Sequence, residues 1–166
     1  VIGFFVLCGG VLFAIGRRPY LEGLNLESVG VISRDNSIIV DEYQSTNVPN
    51  IYAVGDVTNR VNLTPVAVEE GRAFADSLYG GNPRKVNYEF VPSAVFSNPE
   101  IAGVGLTEEQ AFAQYGPGKI KVCRSRFRPM SHSLNKKGPT CLLKLVLEST
   151  SNKVLGCHMV GDVLTT

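Results

Sequence analysis

The most informative pattern of apolar and polar positions lies between residues 46 and 72. Pro49 restricts the residue before it to an extended conformation. Residues 51–54 then form a short apolar run rich in β-prone side chains, which is typical of a buried parallel strand. Gly55 and Asp56 end that run. The pattern therefore predicts a strand that places a glycine and a carboxylate at its carboxyl end.

A helix is predicted directly downstream. Thr64 is a residue type that caps helices, and Pro65 suits the first helical turn. Apolar and polar residues alternate with helical spacing from there to Tyr79, where Gly80 and Gly81 stop the helix.

This arrangement of strand, turn and helix carries candidate chemistry. The carboxylate of Asp56 accepts strong hydrogen bonds from sugar-like hydroxyls, and it follows a strand end, where open α/β sheets bind ligands. The amino end of the helix favours an anion, because it offers unpaired N–H groups and a partial positive charge. Taken alone, the Gly55–Asp56 pair is equally well explained as an ordinary turn at the end of a strand.

The remainder of the first half shows weaker patterns. Residues 11–15 predict a buried strand that ends at Gly16, residues 21–31 a short turn-like element, and residues 37–41 a short strand. Residues 1–16 carry no charge, but they lack the basic start of a signal peptide and are short for a membrane span. We interpret them as the interior of a domain. No G-x-G-x-x-G fingerprint occurs anywhere in the chain.

A break in composition, with Gly80, Gly81 and Pro83, predicts a domain boundary near residue 90. Beyond it, Thr107 and Gln110 form a capping box that starts a helix. A strand is predicted over residues 119–127, and a hairpin with arms at 141–148 and 153–161. Strands with one helix indicate a small α+β domain.

Composition and charge exclude several classes of function. The chain has 16 basic and 15 acidic residues and a net charge of +1, which gives no electrostatic basis for binding nucleic acid or a membrane surface. The cysteines are not close in sequence, so reduced, mostly buried thiols of an intracellular protein are expected. They and the two histidines lack ligand spacing, and no metal site is predicted. These residues are Cys8, Cys123, Cys141, Cys157, His132 and His158.

Several motifs resemble those of one family. The run T-N-V-P-N-I-Y-A-V-G-D at residues 46–56 resembles the second FAD-binding motif of the pyridine nucleotide-disulfide oxidoreductases. L-T-P-V-A at 63–67 is similar to the glutathione and trypanothione reductase branch, whereas dihydrolipoamide dehydrogenases usually carry Met-Leu-Ala-His there. G-R-R-P at 16–19 and F-R-P-M at 127–130 also resemble family segments. The resemblance covers about residues 11–161.

The resemblance implies roles for individual residues. The FAD-binding residues are Gly55, Asp56, Leu63, Thr64 and Pro65. Gly16 corresponds to a glycine near the bound NADPH, and Arg72 to an arginine that binds a carboxylate of glutathione disulfide. On residue pattern alone, Arg72 is instead a solvated helix charge paired with Glu69 or Asp76.

The resemblance also implies a fold and a function. The fold is the remnant of an α/β FAD-binding (Rossmann-like) domain followed by an α+β interface (dimerisation) domain. We predict the end of an NAD(P)H-binding domain at 1–19, the last part of the FAD domain at 20–90 and a truncated dimerisation domain at 91–166.

The implied activity is FAD-dependent reduction of glutathione disulfide by NADPH in a homodimer. No catalytic residue is predicted in this chain, which has neither the redox cysteine pair nor the acid-base histidine of the family, and the chain alone is expected to be inactive. The alternatives are a non-catalytic dimerisation module, or another disulfide reductase such as dihydrolipoamide dehydrogenase or trypanothione reductase. A cytoplasmic location is expected, with an organelle such as a plastid left open.

Overall fold

The structure is a computed structural model that describes Gly10, residues 13–132, Leu134 and residues 138–161. The chain divides into two compact units, Val1–Val86 and Asn87–Thr166. None of the helices in the described part of the chain is long and apolar enough to span a bilayer.

The described residues of the first unit form two helices, one short hairpin and one 3₁₀ turn. In chain order these are α1 (Leu26–Val29), β1 (Ser33–Arg34), β2 (Ser37–Ile38), the 3₁₀ turn (Gly55–Thr58) and α2 (Thr64–Leu78). Strands β1 and β2 pair antiparallel. Val31, Ile38 and Ala53 are buried together as the core of this unit.

Helix α2 confirms the predicted helix to within one residue at its carboxyl end. Thr64 is nevertheless the first helical residue and not the cap, which is the extended Leu63. Consequently the hydroxyl of Thr64 makes no capping hydrogen bond. Pro65 fits the first turn as expected, since that turn has no use for its missing N–H.

The parallel strand predicted at residues 51–54 is wrong, and so is the described part of the buried strand predicted at residues 11–15. Residues 51–54 are extended but form only one antiparallel bridge, between Tyr52 and Ser45. Residues 13–15 lie in an exposed loop, whereas Val11 and Leu12 fall outside the described residues. The strand predicted at 37–41 is reduced to Ser37–Ile38. A β-prone run becomes a strand only when a neighbouring backbone pairs with it along its length, and among the described residues that pairing is limited here to the bridge with Ser45.

In the part of the second unit that the structure describes, one α-helix lies on an antiparallel sheet. The sheet has the order β3-β4-β7-β6-β5. The elements are β3 (Ser93–Val95), β4 (Glu100–Gly105), α3 (Glu108–Tyr115), β5 (Ile120–Phe127), a 3₁₀ turn (Met130–His132), β6 (Cys141–Glu148) and β7 (Val154–Gly161). The predicted helix, strand and hairpin are therefore confirmed.

Helix α3 packs onto the sheet through a small core. The capping box is present, with the Thr107 hydroxyl accepting from the Gln110 N–H and the Gln110 side chain accepting from the Thr107 N–H. Ala111 is buried against Val146 and Leu155. The cap fixes where α3 begins, and this core fixes which face of it meets the sheet.

Glu108, in the first turn of α3, bonds to two cations of the sheet. Arg124 Nη2 lies 2.6 Å and Lys144 Nζ 3.4 Å from Glu108 Oε2. Desolvation raises the pKa of Glu108, but hydrogen bonds and charges from Arg124 and Lys144 outweigh it and leave the pKa lowered.

The described thiols are free, but only one of the three is buried. Cys141 is buried, whereas Cys123 and Cys157 are half-buried. The expectation of mostly buried thiols is therefore wrong for these two. Cys123 follows Val122, which pairs with buried Val146, so its side chain alternates to the sheet face away from that core.

Candidate functional site

The 3₁₀ turn that begins at Gly55 is packed against helix α2. Gly55 is buried and has a φ of +75°, a conformation that favours glycine. A Cβ added there would lie 3.1 Å from the Cβ of Ala67 on α2. The Thr58 hydroxyl donates a 2.9 Å hydrogen bond to the Gly55 carbonyl and closes the turn. Only a glycine lets the turn approach the helix so closely.

Asp56 is the exposed residue of this turn. Its carboxylate makes no hydrogen bond or ion pair within the part of the chain that the structure describes. An exposed carboxylate without an internal partner keeps its full capacity to accept hydrogen bonds from hydroxyls of a ligand.

The amino end of α2 is the second part of the site. No side chain caps it, and Pro65 provides no N–H. The N–H groups of Val66 and Ala67 both reach the carbonyl of Leu63, at 3.0 Å each. With Thr64 exposed at the helix start, this end keeps the partial positive charge of a helix terminus without a carboxylate from α2's first turn beside it.

A buried carboxylate on α2, not foreseen from the sequence, links the two parts. Oε2 of Glu70 accepts a 2.5 Å hydrogen bond from the Gly55 N–H, and Glu70 is only 1% exposed. A signal for it existed, because Val66, Glu70 and Ala73 follow the i, i+4, i+7 spacing of one helix face. All three are buried.

Arg72 lies further along α2, about 12 Å from the helix start by helical rise. It is exposed and has no hydrogen bond or ion pair among the described residues. The alternative was a solvated helix charge paired with Glu69 or Asp76. The exposed position of Arg72 fits a solvated charge, but the pairing is wrong because both carboxylates bind Arg84 instead. Arg84 Nη2 lies 2.9 Å from Asp76 Oδ2, and its Nη1 contacts Glu69 Oε1.

These contacts also act on Arg84. The hydrogen bonds that its guanidinium donates to Glu69, and then to Asp76, raise the pKa of Arg84. The sequence pattern did not predict this pairing, since Arg84 lies in the segment after the helix and its distance from Glu69 depends on how that segment returns.

Gly16 is not joined to the other candidate residues. It lies in a loop with a φ of +98°, and a Cβ added there would meet nothing within 4 Å. No hydrogen bond of Gly16 reaches the turn or α2 in the described residues.

Two family models match the chain. The one described as "Pyridine nucleotide-disulphide oxidoreductase" covers residues 6–71, starting five residues before the resemblance noted from the sequence. The one described as "Pyridine nucleotide-disulphide oxidoreductase, dimerisation domain" covers residues 91–165. The two matches lie in different halves of the chain.

Similar proteins include glutathione reductase of Nostoc sp., which is 50% identical over 91% of this chain and 35% of that protein. The chloroplastic/mitochondrial glutathione reductase of Pisum sativum is 52% identical over 92% of the chain and 27% of that protein. Among solved structures, the HOCl-induced flavoprotein disulfide reductase RclA from Escherichia coli matches with a TM-score of 0.78 and 28% identity, over 90% of this chain and 34% of that one. The chain thus spans between 27% and 35% of the length of these relatives. Since both halves match models of one family, the chain belongs to the pyridine nucleotide-disulphide oxidoreductases.

Proposed function

We propose that the chain contributes one side of the FAD site and part of the subunit interface to an NADPH-dependent glutathione-disulfide oxidoreductase. The family implies FAD and NADPH as cofactors. A bound FAD would supply two-electron redox chemistry between NADPH and a disulfide. The residues of this chain would bind and orient the cofactors and the disulfide substrate.

The observation that carries the proposal is the joining of Asp56 and the uncapped start of α2. The Gly55 turn packs on α2 through Ala67 and Glu70, so the turn that carries the carboxylate acceptor is in direct contact with the helix whose start carries the positive charge. The residues present fit a flavin with a sugar-like side chain, because the carboxylate suits its hydroxyls and the helix end suits its electron-rich ring edge.

The helix start has a further effect on redox chemistry. Leu63, Thr64 and Pro65 form this end. The Leu63 N–H donates to the Val61 carbonyl, and Pro65 has no N–H. The Thr64 N–H and the partial positive charge of the helix are therefore the groups that favour negative charge placed here. Such groups stabilise the reduced form of a bound redox group more than its neutral oxidised form. We propose that this end sets the flavin potential as well as its affinity.

Arg72 is the proposed contact for substrate. Its guanidinium is exposed and binds no carboxylate of the residues that the structure describes, so its planar fork is available to a carboxylate of glutathione disulfide. Gly16 is proposed to lie beside NADPH, where the lack of a side chain leaves room for a ligand.

The remaining assignments extend the proposal to the whole chain. We propose that residues 1–19 end an NADPH-binding domain, residues 20–90 belong to the FAD domain and residues 91–166 contact a second subunit in a homodimer. The match to the family's dimerisation domain supports the last of these. We also propose a cytoplasmic or organellar compartment, where thiols such as Cys123 and Cys157 stay reduced.

The test uses the full-length protein that carries this chain. Asp56→Ala is expected to weaken flavin binding about 10- to 100-fold, since it removes a charge-assisted hydrogen bond. Arg72→Met is expected to raise KM for glutathione disulfide by a similar factor and leave KM for NADPH unchanged. Arg34→Met, another exposed arginine of the same unit, serves as the matched control. Normal flavin affinity in Asp56→Ala and a normal disulfide KM in Arg72→Met would refute the assignment.

A further inference from the structure

We propose that Glu70 is a positioning residue that holds Asp56 in register with the start of α2. The inference rests on the proposed flavin site and adds a residue that touches neither flavin nor substrate. It starts from the buried carboxylate on α2 whose acceptor oxygen meets the backbone of the Gly55 turn.

Both polar backbone groups of Gly55 are hydrogen-bonded to side chains. Its N–H donates to Glu70 Oε2 at 2.5 Å, and its carbonyl accepts from the Thr58 hydroxyl at 2.9 Å. The first bond crosses to another element, whereas the second stays within the turn. The hydrogen bond to Glu70 therefore ties the turn to the helix, and Asp56 is the residue that follows Gly55 along the chain.

Position 70 requires a long side chain that ends in an acceptor oxygen. Gly55 is buried, so its N–H would lose a hydrogen bond if the acceptor were removed and no water replaced it. The apolar packing beside this bond comes from Ala67, which offers no acceptor. An apolar residue at position 70 would thus leave the Gly55 N–H unsatisfied.

The two adjacent glutamates of α2 differ in exposure and in the partner that each one contacts. Glu69 points to Arg84 and is half-exposed, with a side-chain exposure of 42%. Glu70 is 1% exposed and meets the Gly55 turn. A helix turns about 100° per residue, so neighbouring side chains face different directions. This contrast makes Glu69 a natural control for the loss of a carboxylate from α2.

The consequence concerns geometry at the flavin site. Asp56 and Thr64 lie on different elements, and their relative position depends on contacts between those elements. Without the Glu70 bond, Asp56 retains its charge but loses its fixed position against the helix start. Misplacing a hydrogen-bonding group weakens binding even when the group itself is intact.

The experiment compares four variants of the full-length protein: Glu70→Ala, Glu70→Gln, Glu69→Gln and Ala73→Gly. Glu70→Ala is expected to weaken flavin binding about tenfold. Glu70→Gln keeps an acceptor oxygen and is expected to stay within about twofold of wild type. Ala73→Gly weakens the same helix one turn away, and Glu69→Gln removes a neighbouring charge; both should bind flavin normally.

A double variant separates positioning from general loss of structure. If Glu70 acts through Asp56, Glu70→Ala added to Asp56→Ala should weaken flavin binding little further, because coupled residues are not additive. In the flavin-free protein, hydrogen exchange of the Gly55 amide should accelerate in Glu70→Ala but not in Glu70→Gln.

The outcomes distinguish this inference from the proposed function. If the wild-type protein binds no flavin, the proposed function fails, while the exchange of the Gly55 amide still tests the bond itself. If wild type binds flavin and Glu70→Ala binds it equally well, the positioning role is overturned. Fully additive losses in the double variant would also overturn it.

Discussion

Arg84 is predicted to govern how well Arg72 binds a carboxylate, although the two side chains are not in contact. Glu69 lies three residues before Arg72 and Asp76 four residues after it, which are the spacings at which helix side chains meet. In the structure both carboxylates are bound to Arg84. Removing that cation by Arg84→Met releases them to pair with Arg72.

The expected size follows from the geometry of the helix. Pairs at i, i+3 and i, i+4 on a helix surface are weak, so two new pairs should raise KM for glutathione disulfide about two- to fivefold. The side chains of Glu69 and Asp76 are 42% and 47% exposed, and salt will screen them. The ratio of variant to wild-type KM should therefore fall toward one in strong salt.

The assay is steady-state kinetics of the full-length protein at several ionic strengths. Arg84→Met should raise the disulfide KM at low salt with little change in kcat. Adding Glu69→Gln and Asp76→Asn to Arg84→Met should restore it, since no carboxylate is then left to compete. If Arg84→Met leaves KM unchanged while Arg72→Met raises it, the released carboxylates do not reach Arg72 and the reasoning is refuted.

Three further predictions concern stability and are measured by urea unfolding of the chain. Gly156→Ala should lower the free energy of unfolding by about 1–3 kcal/mol, because its Cβ would lie 2.0 Å from the backbone oxygen of Leu106. Gly71→Ala is the control: nothing lies within 4 Å of its Cβ, so it should not destabilise the chain. Thr107→Ala removes the helix cap and should lower the free energy of unfolding by about 0.5–2 kcal/mol, whereas Thr107→Ser keeps a hydroxyl and should retain most of that stability. The pKa of Glu108 is lowered from its ordinary value of 4.5, so its stabilising contribution is present above that pH and is lost as pH falls through the lowered pKa. Glu108→Gln should remove this part of the acid dependence; an unchanged acid profile would contradict it.

The sequence by itself determined the elements whose signals are local. The helix from Thr64 ends where the glycines after Tyr79 stop it, and the capping box at Thr107 starts the second helix where expected. The hairpin of β6 and β7 follows from its own apolar arms and polar turn. The sequence also indicated the family, because the motif at residues 46–56 is a short run of characteristic residue types. Each of these depends on residues that are close together in the chain.

Only the tertiary structure decided features that depend on distant partners. Residues 51–54 have strand propensity but pair through a single bridge, since pairing requires a neighbouring backbone. Glu69 and Glu70 are the same residue type at adjacent positions. Glu69 nevertheless binds Arg84 at the surface, whereas Glu70 is buried against Gly55. Arg72 has two carboxylates at helical spacing and pairs with neither. Which partner a charged side chain takes is settled by how the chain folds back, and this the local pattern does not contain.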